Sequence, residues 1–446
     1  MKRIIIAIVA ASALHVGAGA QQQTLTLSAD ECRAMAIESS MTLRRADLAV
    51  RQAELDRKVA DVARLPKIDG SASGIYLFPD MDMMGMTMEM KGAYVAGLQL
   101  TQPIYAGGKI TAGRRLARIG ETAATEQRRA DRAMVAADAL RQYWTYVAVL
   151  DKVRLTDRYR AMIDTIYAQT EVAVEAGMAT DNDLLRIRAK RSEIAYQQKK
   201  AANGAELCRL ALCNSVGVSY DVQIAPADSV PDVKAPGALN PDISGRPELA
   251  LLRCQVDASR QQVKMALGDF LPTVGLSVGY NWYGNIKTTS MVNVGGGMMV
   301  PYTSRFQDNL GMAMLAVRIP LFHWGEGAKK VRKAKLEVQR AQLELDDNAR
   351  LLELEAHQAG MNLDDGWEMI ATARESLAQA DENLRVMTDR YEAGMSSLTD
   401  LLDAQNQWHQ AHSDIIEATT QYRIYLVDWQ RATGTLEGHS PPTPPL

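Results

Sequence analysis

Six methionines crowd one short stretch, at Met81, Met83, Met84, Met86, Met88 and Met90, and Met291, Met298 and Met299 fall in a second. Clustered thioethers suit Cu(I); as flexible apolar side chains they also suit an adaptable loop surface. His409 and His412 are spaced i, i+3 on a helical pattern, where two imidazoles could share a metal. No third ligand converges in the sequence, so they read as helix-surface histidines and no metal site is assigned. Carboxylates recur in one setting: Thr180-x-x-Asp183 and Ser397-x-x-Asp400 both resemble capping boxes, with Asp in the place of Glu. The pairs Asp346-Asp347 and Asp364-Asp365 fall on the polar faces of helical patterns. An H-E-x-x-H pair, a P-loop and a Gly-rich nucleotide fingerprint are all missing, so an enzyme reading has nothing to stand on and no cofactor is called for. The net charge of −3 singles out no partner, and none of these groups calls for nucleic acid.

The elements that position these residues come in two copies. Glu175-Ala176-Gly177-Met178 recurs 217 residues later as Glu392-Ala393-Gly394-Met395, and Asp183-Leu184-Leu185 recurs at the same shift as Asp400-Leu401-Leu402. Pro103 and Pro320 share that shift, while Leu65-Pro66 and Leu271-Pro272 lie 206 apart. A repeat of this length is a duplicated half-protein, not a solenoid unit.

Proline divides the chain further. No proline lies between Pro103 and Pro226 or between Pro320 and Pro441, which leaves two windows for very long helices. From Val331 through Ala334, Val338, Ala341, Leu345, Ala349, Leu352, Ala356, Ala359, Leu363, Trp367, Ile370, Ala373, Leu377, Ala380, Leu384 and Met387 to Tyr391, apolar residues recur about every 3.5 positions, the coiled-coil period. Such a helix is on the order of 100 Å long. Gly177 and Gly394 suit left-handed C-terminal caps. The capping boxes then start return helices running to about Leu212 and Thr433.

Between the Leu-Pro and Pro landmarks the period becomes two. Val274, Leu276, Val278, Tyr280 and Trp282 alternate with Gly and polar residues. Gly311, Ala313, Leu315, Val317 and Ile319 alternate with Met312, Met314, Ala316 and Arg318. Tyr94, Ala96, Leu98 and Leu100 alternate with Val95, Gly97, Gln99 and Thr101, and Lys67–Tyr76 is a weaker partner. Four strands of about ten residues with one apolar and one small or polar face fit a transmembrane β-barrel, or else a soluble hairpin on a core. Four strands cannot close in lipid, where an open edge is not tolerated. Subunits must therefore combine. Three chains would bring twelve strands, and closure alone leaves eight or sixteen open.

Met1–Ala20 reads as a secretory signal: Lys2 and Arg3, an apolar stretch from Ile4 to Leu14, and Ala18-Gly19-Ala20 before the cut. No later stretch approaches the ~18 apolar residues of a spanning helix. The expected divisions are a signal peptide at 1–20, a first repeat at 21–222, a Pro-rich linker at 223–245, a second repeat at 246–436 and a Pro-rich tail at 437–446. Cys208 and Cys213 lie too far apart on a helix to bridge, so buried free thiols are expected. Trp324, after a strand end, reads as an interfacial anchor.

The chain resembles the TolC-like outer-membrane efflux protein family over essentially its whole mature length. Four pieces carry the likeness. They are Leu25-Thr26-Leu27-Ser28, Arg246-Pro247-Glu248-Leu249, the Pro-to-Gly runs Pro103–Gly107 and Pro320–Gly325, and Tyr391-x-x-Gly394-x-x-Ser397-x-x-Asp400-Leu401-Leu402-x-Ala404-Gln405.

The resemblance implies a mixed α+β membrane protein. This would be a homotrimer with four strands per chain in an outer-membrane β-barrel, continued by a long coiled-coil barrel through the periplasm. It implies a passive exit duct in outer-membrane lipid, docked to a periplasmic adaptor and an inner-membrane RND, ABC or MFS transporter. It places a gate at the periplasmic tip on Asp400, Asp403, Tyr391 and Asp183, and adaptor docking at the turns Gly177-Met178 and Gly394-Met395. The basic residue that locks the tip in the best-known member is here Ser396, facing Asn182 and Asp183. The contrasting reading is a periplasmic coiled-coil scaffold whose β-segments are soluble.

Overall fold

The computed structural model describes residues 24–83, 86–228, 233–295 and 297–436. The signal peptide, Met84, Pro231 of the linker and the 437–446 tail lie outside the described residues. In chain order the elements are β1 (Thr24–Leu27), α1 (Ala29–Ser39), α2 (Met41–Val62), β2 (Lys67–Tyr76), β3 (Met81–Met83), β4 (Met86–Glu89), β5 (Lys91–Ala106), α3 (Lys109–Glu175) and α4 (Asp181–Val216). The second half brings β6 (Gln223–Pro226), α5 (Pro247–Gly268), β7 (Thr273–Asn293), β8 (Met299–Arg318), α6 (Glu326–Glu392) and α7 (Leu398–Ala432). The duplication is visible in helix length: α2 and α5 have 22 residues each, α3 and α6 have 67 each, and α4 and α7 have 36 and 35. Among the described residues no helix is long and apolar enough to cross a membrane.

One compact unit gathers the chain up to Arg44, Ala130–Arg246 and the part from Leu351 onward. Its helices are held by seams. None of the seam positions from Leu352 to Tyr391 is exposed, and Ala356, Leu363 and Ile370 are essentially sealed. Leu363 and Ile370 pack with Tyr422 of α7, flanked by Trp367, Tyr425 and Trp429. A separate core joins Leu27, Cys32 and Ala36 to Tyr143 and Val147 of α3, Leu212 and Cys213 of α4, and Ile224. There β1 pairs in parallel with β6, Leu25 opposite Ile224, so the start of the expected linker is a strand. All four cysteines are free; Cys32 and Cys213 are buried while Cys208 and Cys254 are half-buried. Burial pushes the Cys32 thiol up to about 12. Helix α4 runs one turn beyond Leu212, until Gly217 at φ 74° ends it in the left-handed region.

The other unit gathers Arg45–Arg129 and Pro247–Arg350 and holds the sheet. Strand β2 pairs antiparallel with β5, β5 with β7, and β7 with β8, which leaves β2 and β8 at the edges. The register lines up Ile68, Leu100, Val278 and Ala313 in one row and Gly70, Leu98, Tyr280 and Gly311 in the next row of that face. The other face carries Asp69, Gln99, Gly279 and Met312, then Ser71, Gly97, Asn281 and Leu310. Gln99 Nε2 donates to Ser277 Oγ there at 3.0 Å. A Cβ on Gly97 would stand 2.0 Å from Asn281 Oδ1, so a larger residue there would displace the Asn281 amide.

The strands exceed the expected ten residues, with 16 in β5, 21 in β7 and 20 in β8. The methionine stretch is not the expected loop. Its described part forms β3 and β4, and β4 pairs with Lys287–Ser290 of β7, prolonging the line of β5 beyond a bulge at Asn285. Ladder pairing to a long neighbour overrode the weak strand preference of a Met-rich segment.

Candidate functional site at the paired helical tips

The two tips solve one problem twice. A helix that must reverse tightly has to satisfy its last carbonyls and then the first amides of the next helix. At the end of α3, Met178 N donates to Ala173 O at 2.8 Å and Gly177 N to Val174 O at 3.0 Å. At the end of α6, Met395 N donates to Arg390 O at 2.8 Å and Gly394 N to Tyr391 O at 3.0 Å. This doubled bond pair needs a left-handed residue between helices, and Gly177 and Gly394 supply it at φ 72° and 68°. Met178 and Met395 follow, 84% and 73% exposed.

Each return helix then starts on its capping box. Thr180 Oγ1 accepts from Asp183 N at 3.2 Å, and the Asp183 carboxylate accepts from the Thr180 amide and hydroxyl at 3.2 and 2.7 Å. Ser397 Oγ accepts from Asp400 N at 3.2 Å, and the Asp400 carboxylate accepts from the Ser397 amide and hydroxyl at 3.1 and 2.7 Å. The Ser397 hydroxyl and then its amide hold the Asp400 carboxyl below the usual carboxylate range. Asp183 and Asp400 are thus committed to their own helix starts. Asp403, one turn on, is exposed and has no partner among the described residues.

Beneath the tips the four long helices share one apolar core. Tyr159, Ile163 and Ile166 of α3, Ile187 and Ile194 of α4, Leu384 of α6, and Leu398, Leu401 and Leu402 of α7 are buried together. Tyr391 packs on this core by its ring, and its hydroxyl has no partner among the described residues. Ser396 Oγ is buried and unpaired. The sequence reading missed Arg186, which donates from α4 to Thr399 Oγ1 on the first turn of α7. No sequence signal marked it, because a single cross-helix hydrogen bond between residues 213 apart has no period.

The two histidines are more enclosed than surface residues. His409 stacks on Tyr159 with centroids 4.6 Å apart, and burial, with Lys190 and His412 adding, pushes its imidazole below the usual range. His412 Nε2 lies 3.4 Å from Asp381, which also accepts from Trp408 Nε1 at 2.7 Å. Among the described residues no three His, Cys, Asp or Glu side chains converge as a metal site would require.

Two long helices of equal length, two identical tips and a sheet with unpaired edges make one duplicated pattern. Residues 33–211 and 238–435 match the family described as outer membrane efflux protein. The chain belongs to the outer membrane efflux protein family. It is an outer-membrane protein. It is 24% identical over 320 residues to the proteases secretion protein PrtF of Dickeya chrysanthemi, a match covering 70% of this chain and 66% of that protein, just under two thirds. It is 22% identical to the outer membrane protein TolC of Escherichia coli K12, across 83% of this chain and 75% of the relative. The fold matches the crystal structure of CusC with TM-score 0.77 at 17% identity, covering 95% of each chain.

Proposed function

We propose that this outer membrane efflux protein is the passive exit duct of a tripartite efflux pump or type I secretion system. The observation that carries the reading is the open sheet, whose four long strands β2, β5, β7 and β8 leave β2 and β8 unpaired on their outer sides and exposed along their whole length. Unpaired backbone edges are not tolerated in lipid, so the strands of neighbouring copies complete them. Three copies would close a barrel of twelve. The β-hairpins would sit in the outer membrane and the helical hairpins would reach into the periplasm. The proposed divisions are a signal at 1–20, repeats at 21–222 and 246–436 joined through 223–245, and a tail at 437–446.

The tips are the proposed working end. Gly177-Met178 and Gly394-Met395 would dock a periplasmic adaptor, serving an inner-membrane RND, ABC or MFS transporter. Their exposed methionines offer adaptable apolar contacts. Asp403, unpaired, would form the charged ring of the gate. Asp400, Asp183 and Tyr391 would support it by fixing the turns and the core beneath. The reading assigns the chain no catalysis and no cofactor. Mass measurement in detergent should give a trimer, and the trimer should conduct in planar bilayers. A stable detergent-solubilised monomer would sink the architecture.

A further inference from the structure

The junction between β8 and α6 combines two properties that a lipid-facing wall alone does not need. Leu321, Phe322 and Trp324 are 89%, 70% and 85% exposed, with Trp324 held at φ 50° and its ring 5.0 Å from that of Phe322. Behind them opens a groove of about 850 Å³ whose apolar lining includes Leu267, Phe270, Leu321, Phe322 and Val331. Arg332 and Lys335 stand on its rim. Neither makes an ion pair among the described residues, and Lys329 and Lys333 beside them are exposed and equally unpaired. Lys330 pairs with Glu326 at 2.6 Å and sits 5.9 Å from the Phe270 ring centroid. The first ten residues of α6 thus hold five exposed cations and one acid.

We propose that this groove binds an anionic phospholipid, an acyl chain against Leu267, Phe270 and Phe322 and the phosphate against Arg332 and Lys335. The inference rests on the membrane reading above. An apolar trough rimmed by unpaired cations is complementary to a molecule with an apolar body and an anionic head. Aromatic side chains favour the same depth, where one end is apolar and the other wet. Basic groups near an anionic leaflet each strengthen attachment several-fold. A zwitterionic lipid would meet the same trough but leave two cations without a net charge to face.

The test is native mass spectrometry of the full-length protein in detergent, titrated with phosphatidylglycerol or phosphatidylcholine of the same chain length. Phosphatidylglycerol should bind preferentially. The R332Q/K335Q double variant should weaken it about thirtyfold, the value of two basic contacts at a lipid surface, while the assembly stays intact. Glycerol phosphate should compete only weakly, because it lacks the chain; full competition would mean a phosphate site and overturn the lipid assignment. Equal binding of both lipids, or unchanged phosphatidylglycerol binding in the variant, would overturn the proposal. Loss of the oligomer in the variant would make the groove a contact between copies and overturn it as well. Conductance in planar bilayers separates the two claims: a conducting protein without lipid preference sinks only this one, and a protein that never inserts sinks the channel.

Discussion

Arg186 of α4 donates to the hydroxyl of Thr399 on α7, tying the starts of the two return helices within one chain. The bond spans the duplication, since α4 belongs to the first copy and α7 to the second. It lies at the level of the capping boxes, where Ser396 offers no charge. If the tips part when the duct opens, this bond must break.

Arg186→Ala should therefore raise the spontaneous open probability of single channels. The pair is exposed, so the effect is modest: about 1 kcal/mol, or roughly fivefold. Thr399→Ala should do the same, and the double variant should be no worse than either single one. Additive effects in bilayer recordings would show that the two residues do not act together.

Gly394→Val should abolish export while leaving assembled protein at normal levels. No atom lies within 4 Å of an added Cβ, so the cost is backbone strain at φ 68° and not a clash. That strain is about 1–2 kcal/mol and confined to the turn. Export assays with quantified outer-membrane protein check it, and intact export would remove the turn from the docking surface.

Asp403→Asn should lower cation selectivity and relieve block by multivalent cations, because in the proposed trimer three unpaired carboxylates would gather near the axis and concentrate negative potential. Asp400→Asn should change selectivity less, since that carboxylate is turned into its own cap. The Asp400 pKa is lowered, so its capping contribution is present above the unfolded carboxylate value and is lost as pH falls through the folded one. Reversal-potential measurements on the two single variants separate the roles; equal effects would give Asp400 a place in the ring.

Glu355 joins Arg246, whose side chain is 2% exposed, at 2.5 Å, and it also accepts from Arg431. Burial pushes the Glu355 carboxyl up, but the two guanidiniums together pull it below its usual range. Its stabilisation is therefore complete above the unfolded carboxylate pKa and fades as pH falls through the folded value. Glu355→Gln should lower stability by about 2 kcal/mol, less than a fully buried pair because the carboxylate is partly exposed. The variant should also lose the acid-side dependence of the thermal midpoint, measured from pH 7 downward. An unchanged midpoint at pH 7 would show that Arg246 is satisfied without it.

The sequence by itself determined the periodic and local features. The seam from Val331 to Tyr391 is readable because a long helix must bury one stripe, and each step shows in the residue types. The tips are readable because a reversal needs a left-handed residue and then a cap, and Gly and Thr or Ser with Asp are the residues that supply them. The four strand lines are readable by alternation. The tertiary structure decided what depends on partners distant in the chain. The methionine segment became β3 and β4 only because β7 offered its ladder, and Gln223–Pro226 became a strand only beside Thr24–Leu27. His409 looked like a surface residue until Tyr159, 250 positions earlier in the chain, stacked on it. Arg186 and Thr399, 213 residues apart, form no pattern in sequence, because a single cross-helix hydrogen bond has no period. What recurs along a chain can be read from it; what meets only in space cannot.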